Sequence, residues 1–326
     1  MPSVGRALSG RTSHVGARAA TSVALGAAIG LSAIAAVGPT GAAGERERGA
    51  KCERELTDLA LPGCEVLFSD TAEEADAASV WGRVECVDSD RARRIETGGD
   101  PHATSTGVLQ QNDAYRETRV RDGDDFFGER CELGRNDHRS GPTALFREGD
   151  RRATFASYRL PKGYPLASER WQVVMQIKQS SPSANSGGTP VLELEAKRGS
   201  WRLLQSTKPG RSSGSRELWS VPAETEVWTR FAFDARYSRK KGKGTLRAYV
   251  DLDGDGDAGD AIERSPRFKT YTLKKETGGG DPDDGVKRGR SIPSHLRVGI
   301  YHDPAIDCGE NTCAVDVDNV QVVDTR

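Results

Sequence analysis

Three segments of this chain set polar side chains at alternate positions: Arg130-Cys131-Glu132, Gln176-Ile177-Lys178, and His295 through Arg297 to Tyr301. On an extended strand, alternate side chains share a face. Arg130 therefore sides with Glu132, Gln176 with Lys178, and His295 with Arg297 and Tyr301. If the three faces line one groove, it gathers several cations, an amide and a phenol. Guanidinium and ammonium groups pair well with carboxylates and sulfates, so the expected ligand is an acidic one. Taken singly, each residue has a plainer reading. A lone Arg or Lys is a solvated strand face, a Gln a hydrogen-bonded filler, and a Tyr an amphipathic packer. The recurrence on three segments is what points to a shared site.

Two further groups carry oxygen chemistry. Glu193 and Glu195 share one face of the alternating segment 191–196, and Glu193 is a candidate substrate contact. A glycoside hydrolase sets two carboxyls on either side of the scissile bond. Two acids side by side on one strand do not meet that need, so hydrolysis ranks below the other readings. Asp251, Asp253, Asp255 and Asp257 stand at alternate positions, with Gly254 and Gly256 between the last three, in the order of a calcium loop. Position twelve is Ile262 where an EF-hand has Glu, so the expectation is a structural Ca2+ ion, with a solvated acidic hairpin tip as the alternative. No other cofactor is expected, since no H-E-x-x-H, P-loop, G-x-S-x-G or dinucleotide fingerprint occurs.

These residues need strands to hold them. The segment 170–179 is the central one. Its alternation places Trp171, Val173, Met175 and Ile177 on one side, and Gln172, Val174, Gln176 and Lys178 on the other. Further strands are expected at 79–86, 129–133, 152–160, 191–196, 201–205, 228–234, 244–250, 294–301 and 314–323, with a turn at 238–242 joining two of them. A short helix is expected at 71–78. No helical run of ten residues follows the first 43, so the fold class is all-β: a sandwich of two antiparallel sheets. Residues 79–326 form one domain, preceded by an extension at 44–78.

Residues 1–43 read as a cleaved signal segment: Arg6, Arg11 and Arg18 precede a small apolar stretch that ends at Gly41-Ala42-Ala43. An uncleaved anchor is the alternative. The protein is thus expected to be secreted and, once the signal is removed, free of the membrane. What remains carries 44 basic against 48 acidic residues, which excludes the balance of a nucleic-acid binder. Six cysteines in an exported chain imply disulfides. Cys308 and Cys313 are close enough to pair, and Cys52–Cys64 with Cys86–Cys131 are the expected others.

Arg130-Cys131-Glu132-Leu133 resembles the R-x-E-L motif of β-jelly-roll polysaccharide lyases, and Gln176-Ile177-Lys178 their Q-I-H motif. Leu296-Arg297-Val298-Gly299-Ile300-Tyr301 is similar to the Y-F-K-A-G-x-Y motif of alginate lyases, and the order also fits glucuronan lyases and heparin lyase I-like proteins. The resemblance implies a concanavalin A-like jelly roll that cleaves an acidic, uronate-containing polysaccharide by β-elimination; separately, a monomer is expected. It implies that Gln176, helped by Arg130, neutralises the sugar carboxylate and that Tyr301 is base, acid or both. Lys178 stands where the family has His and is expected to stabilise charge, with Glu132, Arg297, His295 and Glu193 as substrate contacts. The competing class is a non-catalytic carbohydrate-binding sandwich using the same groove.

Overall fold

The computed structural model describes residues 65–326 apart from 73–75, 101–103, 106–107, 110–113, 122, 124–128, 135–144, 180–189, 208–214, 253–262, 271–292 and 309–312. The expected signal segment, Cys52, Cys64, Asp253, Asp255 and Asp257 lie outside the described residues. Along the chain run β1 (Glu65–Asp70), a short helix α1 (Ala77–Trp81), β2 (Arg83–Glu85), β3 (Ala92–Ile95), β4 (Thr104–Ser105), β5 (Val108–Leu109), β6 (Tyr115–Val120), β7 (Glu129–Gly134) and β8 (Arg151–Arg159). They are followed by β9 (Gln172–Gln179), β10 (Leu192–Lys197), β11 (Ser200–Ser206), β12 (Ser215–Pro222), β13 (Trp228–Arg236), β14 (Gly244–Asp251), β15 (Glu263–Phe268), β16 (Ser294–His302) and β17 (Cys313–Asp324).

One sheet has the order β15-β14-β13-β8-β17-β6-β3, with β1 also paired to β17; the other has the order β12-β11-β10-β9-β16-β7-β2. This is an all-β jelly-roll sandwich of antiparallel sheets. Alternation explains the layering. On β13, Phe231, Phe233 and Ala235 enter the interior, while Ala232 joins a small cluster with Phe155 and Tyr249 on the opposite face. Full burial of such a side chain is worth about 1.5–3 kcal/mol, so the shared interior holds the two sheets together. Strand β1 starts upstream of residue 79, where the alternating sequence pattern begins, and pairs with β17 from Glu65↔Asp324 to Asp70↔Val320.

The helix is displaced from the expected 71–78. The Asp70 side chain accepts the backbone N–H of Ala72, which sits at φ 57°, and this turn prevents a helix from starting there. Asp76 then caps the helix through Ala78 N–H, and Trp81 is buried. Disulfides Cys86–Cys131 and Cys308–Cys313 are present, as expected.

Strand β9 departs from simple alternation. Met175 pairs with Leu194 and Val173 with Glu195, so β10 skips Val174. On the other side Val298 pairs with Met175 and Tyr301 with Val173, so β16 spends two residues there. A bulge reverses facing. Val174 therefore joins Met175 and Ile177 in the interior and Val173 does not, which corrects the expected placement of both valines. In β16, Gly299 absorbs the irregularity at φ 121°, where an added Cβ would lie 2.5 Å from the carbonyl oxygen of Cys131. Gly299→Ala is expected to destabilise the fold by about 1–3 kcal/mol from backbone strain alone. Denaturant melts would test this, and an unchanged midpoint would contradict it.

Candidate active site

The sequence-predicted polar residues come from four adjacent strands in the order β10-β9-β16-β7: Glu193, then Gln176 and Lys178, then His295, Arg297 and Tyr301, then Arg130 and Glu132. Register brings them level. Gln176 lies opposite both Glu193 and Arg297, Lys178 opposite His295, and Tyr301 opposite Arg130. All belong to the face that the interior leaves free. Arg130, Glu132, Gln176, His295 and Arg297 are buried, while Lys178, Glu193 and Tyr301 are half-buried.

A carboxylate that the sequence reading did not single out gathers the arginines of this face. Glu85, at the end of edge strand β2, lies opposite Glu132 on β7. Its Oε2 accepts from Arg130 Nη1 at 2.9 Å and also from Arg297 Nη1, and Arg83 pairs with its other oxygen. Burial works to raise the pKa of Glu85, but Arg297, Arg83 and Arg130 together outweigh it and hold the carboxyl below the usual range. One signal pointed this way: Cys86 follows Glu85, and its disulfide partner Cys131 lies between Arg130 and Glu132.

Glu132 ties the remaining groups. It accepts from Gln176 Nε2 at 2.5 Å, lies 3.3 Å from Arg130 Nε and 3.6 Å from Arg297 Nη1. Arg297 Nε donates to His295 Nε2 at 3.0 Å. The Arg130 guanidinium lies over the Tyr301 ring at 4.0 Å, and Trp171 meets that ring edge-on with centroids 4.6 Å apart. Trp171 was expected on the interior side; the bulge in β9 instead sets it beside the phenol.

Lys178 and Glu193 on this face are displaced furthest toward neutrality. Burial, followed by Arg297 and Arg130, pulls the Lys178 amine down to about 8. Burial, followed by Glu195, pushes the Glu193 carboxyl up to about 8. The unfolded chain releases the Glu193 proton near 4.5, so the folded state binds more protons between those values and loses stability as pH rises through the interval. Glu193→Gln is therefore expected to raise Tm by an amount that grows from pH 5 to pH 8 and then levels off. Thermal melts in a pH series measure this, and a gain independent of pH would exclude the assignment.

Of the four expected metal ligands, Asp251 ends β14, is buried and lies opposite Arg230. The other three fall outside the described residues.

A sequence profile of the family described as "Polysaccharide lyase" matches residues 74–320. Among solved structures, the endo-β-1,4-glucuronan lyase of the fungus Trichoderma reesei is similar with a TM-score of 0.54 at 13% identity, over 79% of this chain and 95% of that one. At that identity the likeness concerns the fold. A family 131 β-glucanase domain from Podospora anserina (TM-score 0.46, 13% identity, 79% and 95% covered) and an alginate lyase from Pseudomonas aeruginosa (0.38, 15%, 65% and 82%) are more distant, and no argument rests on them. No curated protein matches the sequence.

Proposed function

The chain belongs to the polysaccharide lyase family, and from that premise we propose that it is a secreted enzyme cleaving a uronate-containing polysaccharide by β-elimination. The observation that supports an acidic substrate is the charge count on the polar face. Among the described residues, Arg83, Arg130, Arg297 and Lys178 stand against two ionised carboxylates, Glu85 and Glu132. Glu193 keeps its proton up to about 8 and adds no compensating charge at neutral pH. A surplus of cations around a largely buried cluster is costly unless an anion completes it. The carboxylate of a uronic acid is such an anion.

β-Elimination removes the proton on the carbon next to that carboxylate. The electron pair moves into the carboxyl as an enolate and then expels the glycosidic oxygen from the neighbouring carbon, leaving a double bond. In the proposed arrangement Arg130 and the second amide N–H of Gln176 receive the carboxylate, with Glu132 orienting both. Preorganised donors at a developing oxyanion are each worth about 10²–10³ in kcat. Arg297, His295 and Glu193 bind the sugar, and Tyr301 transfers protons at the reacting carbons. A monomer suffices for this chemistry. A structural calcium ion in the loop beginning at Asp251 is also proposed, on the spacing of its carboxylates.

Purified secreted protein is to be incubated with glucuronan, alginate, heparin, hyaluronan and a neutral β-glucan while ultraviolet absorbance of the unsaturated sugar is followed. Product on a uronate glycan and none on the neutral one is the expected result. Binding without product would replace the lyase with a binding module, and new reducing ends without the chromophore would indicate hydrolysis.

A further inference from the structure

We propose that Lys178 is the base that takes the proton from the carbon beside the substrate carboxylate, leaving Tyr301 to protonate the departing oxygen. The inference rests on the lyase reading above and divides the proton transfers between two residues.

The other groups on this face are committed. Arg130 and Arg297 are held by Glu85 and Glu132, and a guanidinium has no lone pair to offer. The Nε2 lone pair of His295 accepts the Arg297 N–H. Gln176 does not titrate and donates to Glu132. Glu193 retains its proton at neutral pH.

Lys178 differs from all of these. Among the described residues its amine makes no hydrogen bond and no ion pair, although it is half-buried and level with His295. The charged groups that bear on it are Arg297 on β16, Arg130 and Glu132 on β7, and Glu85 on β2, with Glu193 across on β10. Both carboxylates in that set are already ion-paired with guanidiniums, and the Glu193 carboxyl is uncharged. Glu132 and Glu85 favour the ammonium form, but burial together with the two arginines outweighs them and favours its loss. An amine that releases its proton near 8, next to a carboxylate-binding pair, is a base within the range useful near neutrality.

The step balances without a co-reactant. The amine takes the C–H proton and becomes an ammonium. The electron pair passes through the enolate, held by Gln176 and Arg130, into the new double bond. The leaving oxygen takes the Tyr301 hydroxyl proton, and the ammonium and phenolate return to their starting forms by exchange with water.

The test combines labelling with kinetics on the intact protein. Trace acetic anhydride across a pH series, read by peptide mass spectrometry, is expected to show Lys178 reaching half its maximal reactivity near pH 8, well below the ordinary lysine value of about 10.4. Lys178→Met is expected to lower kcat by about 100-fold or more with KM changed little, in the range of general-base catalysis. Lys178→Arg, which keeps charge without basicity, is expected to be equally impaired. Lys178→His is expected to regain part of the rate, with the acidic limb of the kcat profile moved to lower pH. Glycan binding by each variant confirms that it folds. An active Lys178→Arg, or half-maximal labelling of Lys178 at the ordinary lysine value, would overturn the assignment while leaving the lyase reading intact. Absence of unsaturated product from the unaltered protein would end both.

Discussion

Tyr301→Phe is expected to lower kcat by about 10²–10⁴, the range that loss of a positioned proton-transfer group produces, while glycan affinity and Tm stay close to those of the unaltered protein. The substitution isolates the hydroxyl. The phenyl ring can keep its place beneath the Arg130 guanidinium and against Trp171, so the packing that orients this part of the face is retained. What disappears is the O–H and its hydrogen bond with Arg130. If Tyr301 donates the proton to the leaving oxygen, that oxygen must depart as a high-energy alkoxide in the variant, and the rate falls with binding intact. Steady-state kinetics on whichever uronate glycan gives product, alongside a binding isotherm, separate the two quantities. An unchanged kcat would reduce Tyr301 to a packing residue and require another proton donor.

Glu85→Ala is expected to be the most destabilising single change on this face. The side chain is buried and bonded to both Arg130 and Arg297, with Arg83 on its second oxygen. Removing one partner of a buried ionic cluster leaves the others unpaired, at about 3–5 kcal/mol. At roughly 2–4 °C of Tm per kcal/mol for a chain of this class, the melt should move by ~10 °C. Because the arginines hold the Glu85 carboxyl below its usual range, its stabilising contribution is present above about 4.5, the ordinary value. The contribution is lost as pH falls through the depressed folded-state value. The gap between the two proteins should therefore be full at pH 7 and narrow in acid. Melts at both pH values test this, and a variant within about 2 °C of the unaltered protein at pH 7 would show that the arginines are held by other groups.

The two predictions draw on different kinds of legibility. Tyr301, Arg130, Glu132, Gln176 and Lys178 could be picked out because facing along a regular strand is a local property with period two, and each segment declared its own polar side. The strands themselves were legible for the same reason, and so was the pairing of the turn-linked β13 and β14. Trp171 and Val173 were misplaced because a bulge is a relation between strands: β10 skips Val174, and β16 spends two residues at the same place. No window of one strand contains that information. Glu85 escaped notice because its importance comes from three arginines, two of them 45 and 212 positions away.

The amino-acid order alone determined that this is an all-β chain and which side chains each strand sets on its polar side, since steric alternation acts between neighbours along the backbone. Only the tertiary structure decided that these sides belong to one sheet face, that Glu85 is the carboxylate holding its arginines, and that Lys178 makes no hydrogen bond or ion pair among the described residues. Each of those depends on register and burial, where electrostatic free energy is set by distances between residues remote in the chain rather than by anything in their immediate surroundings.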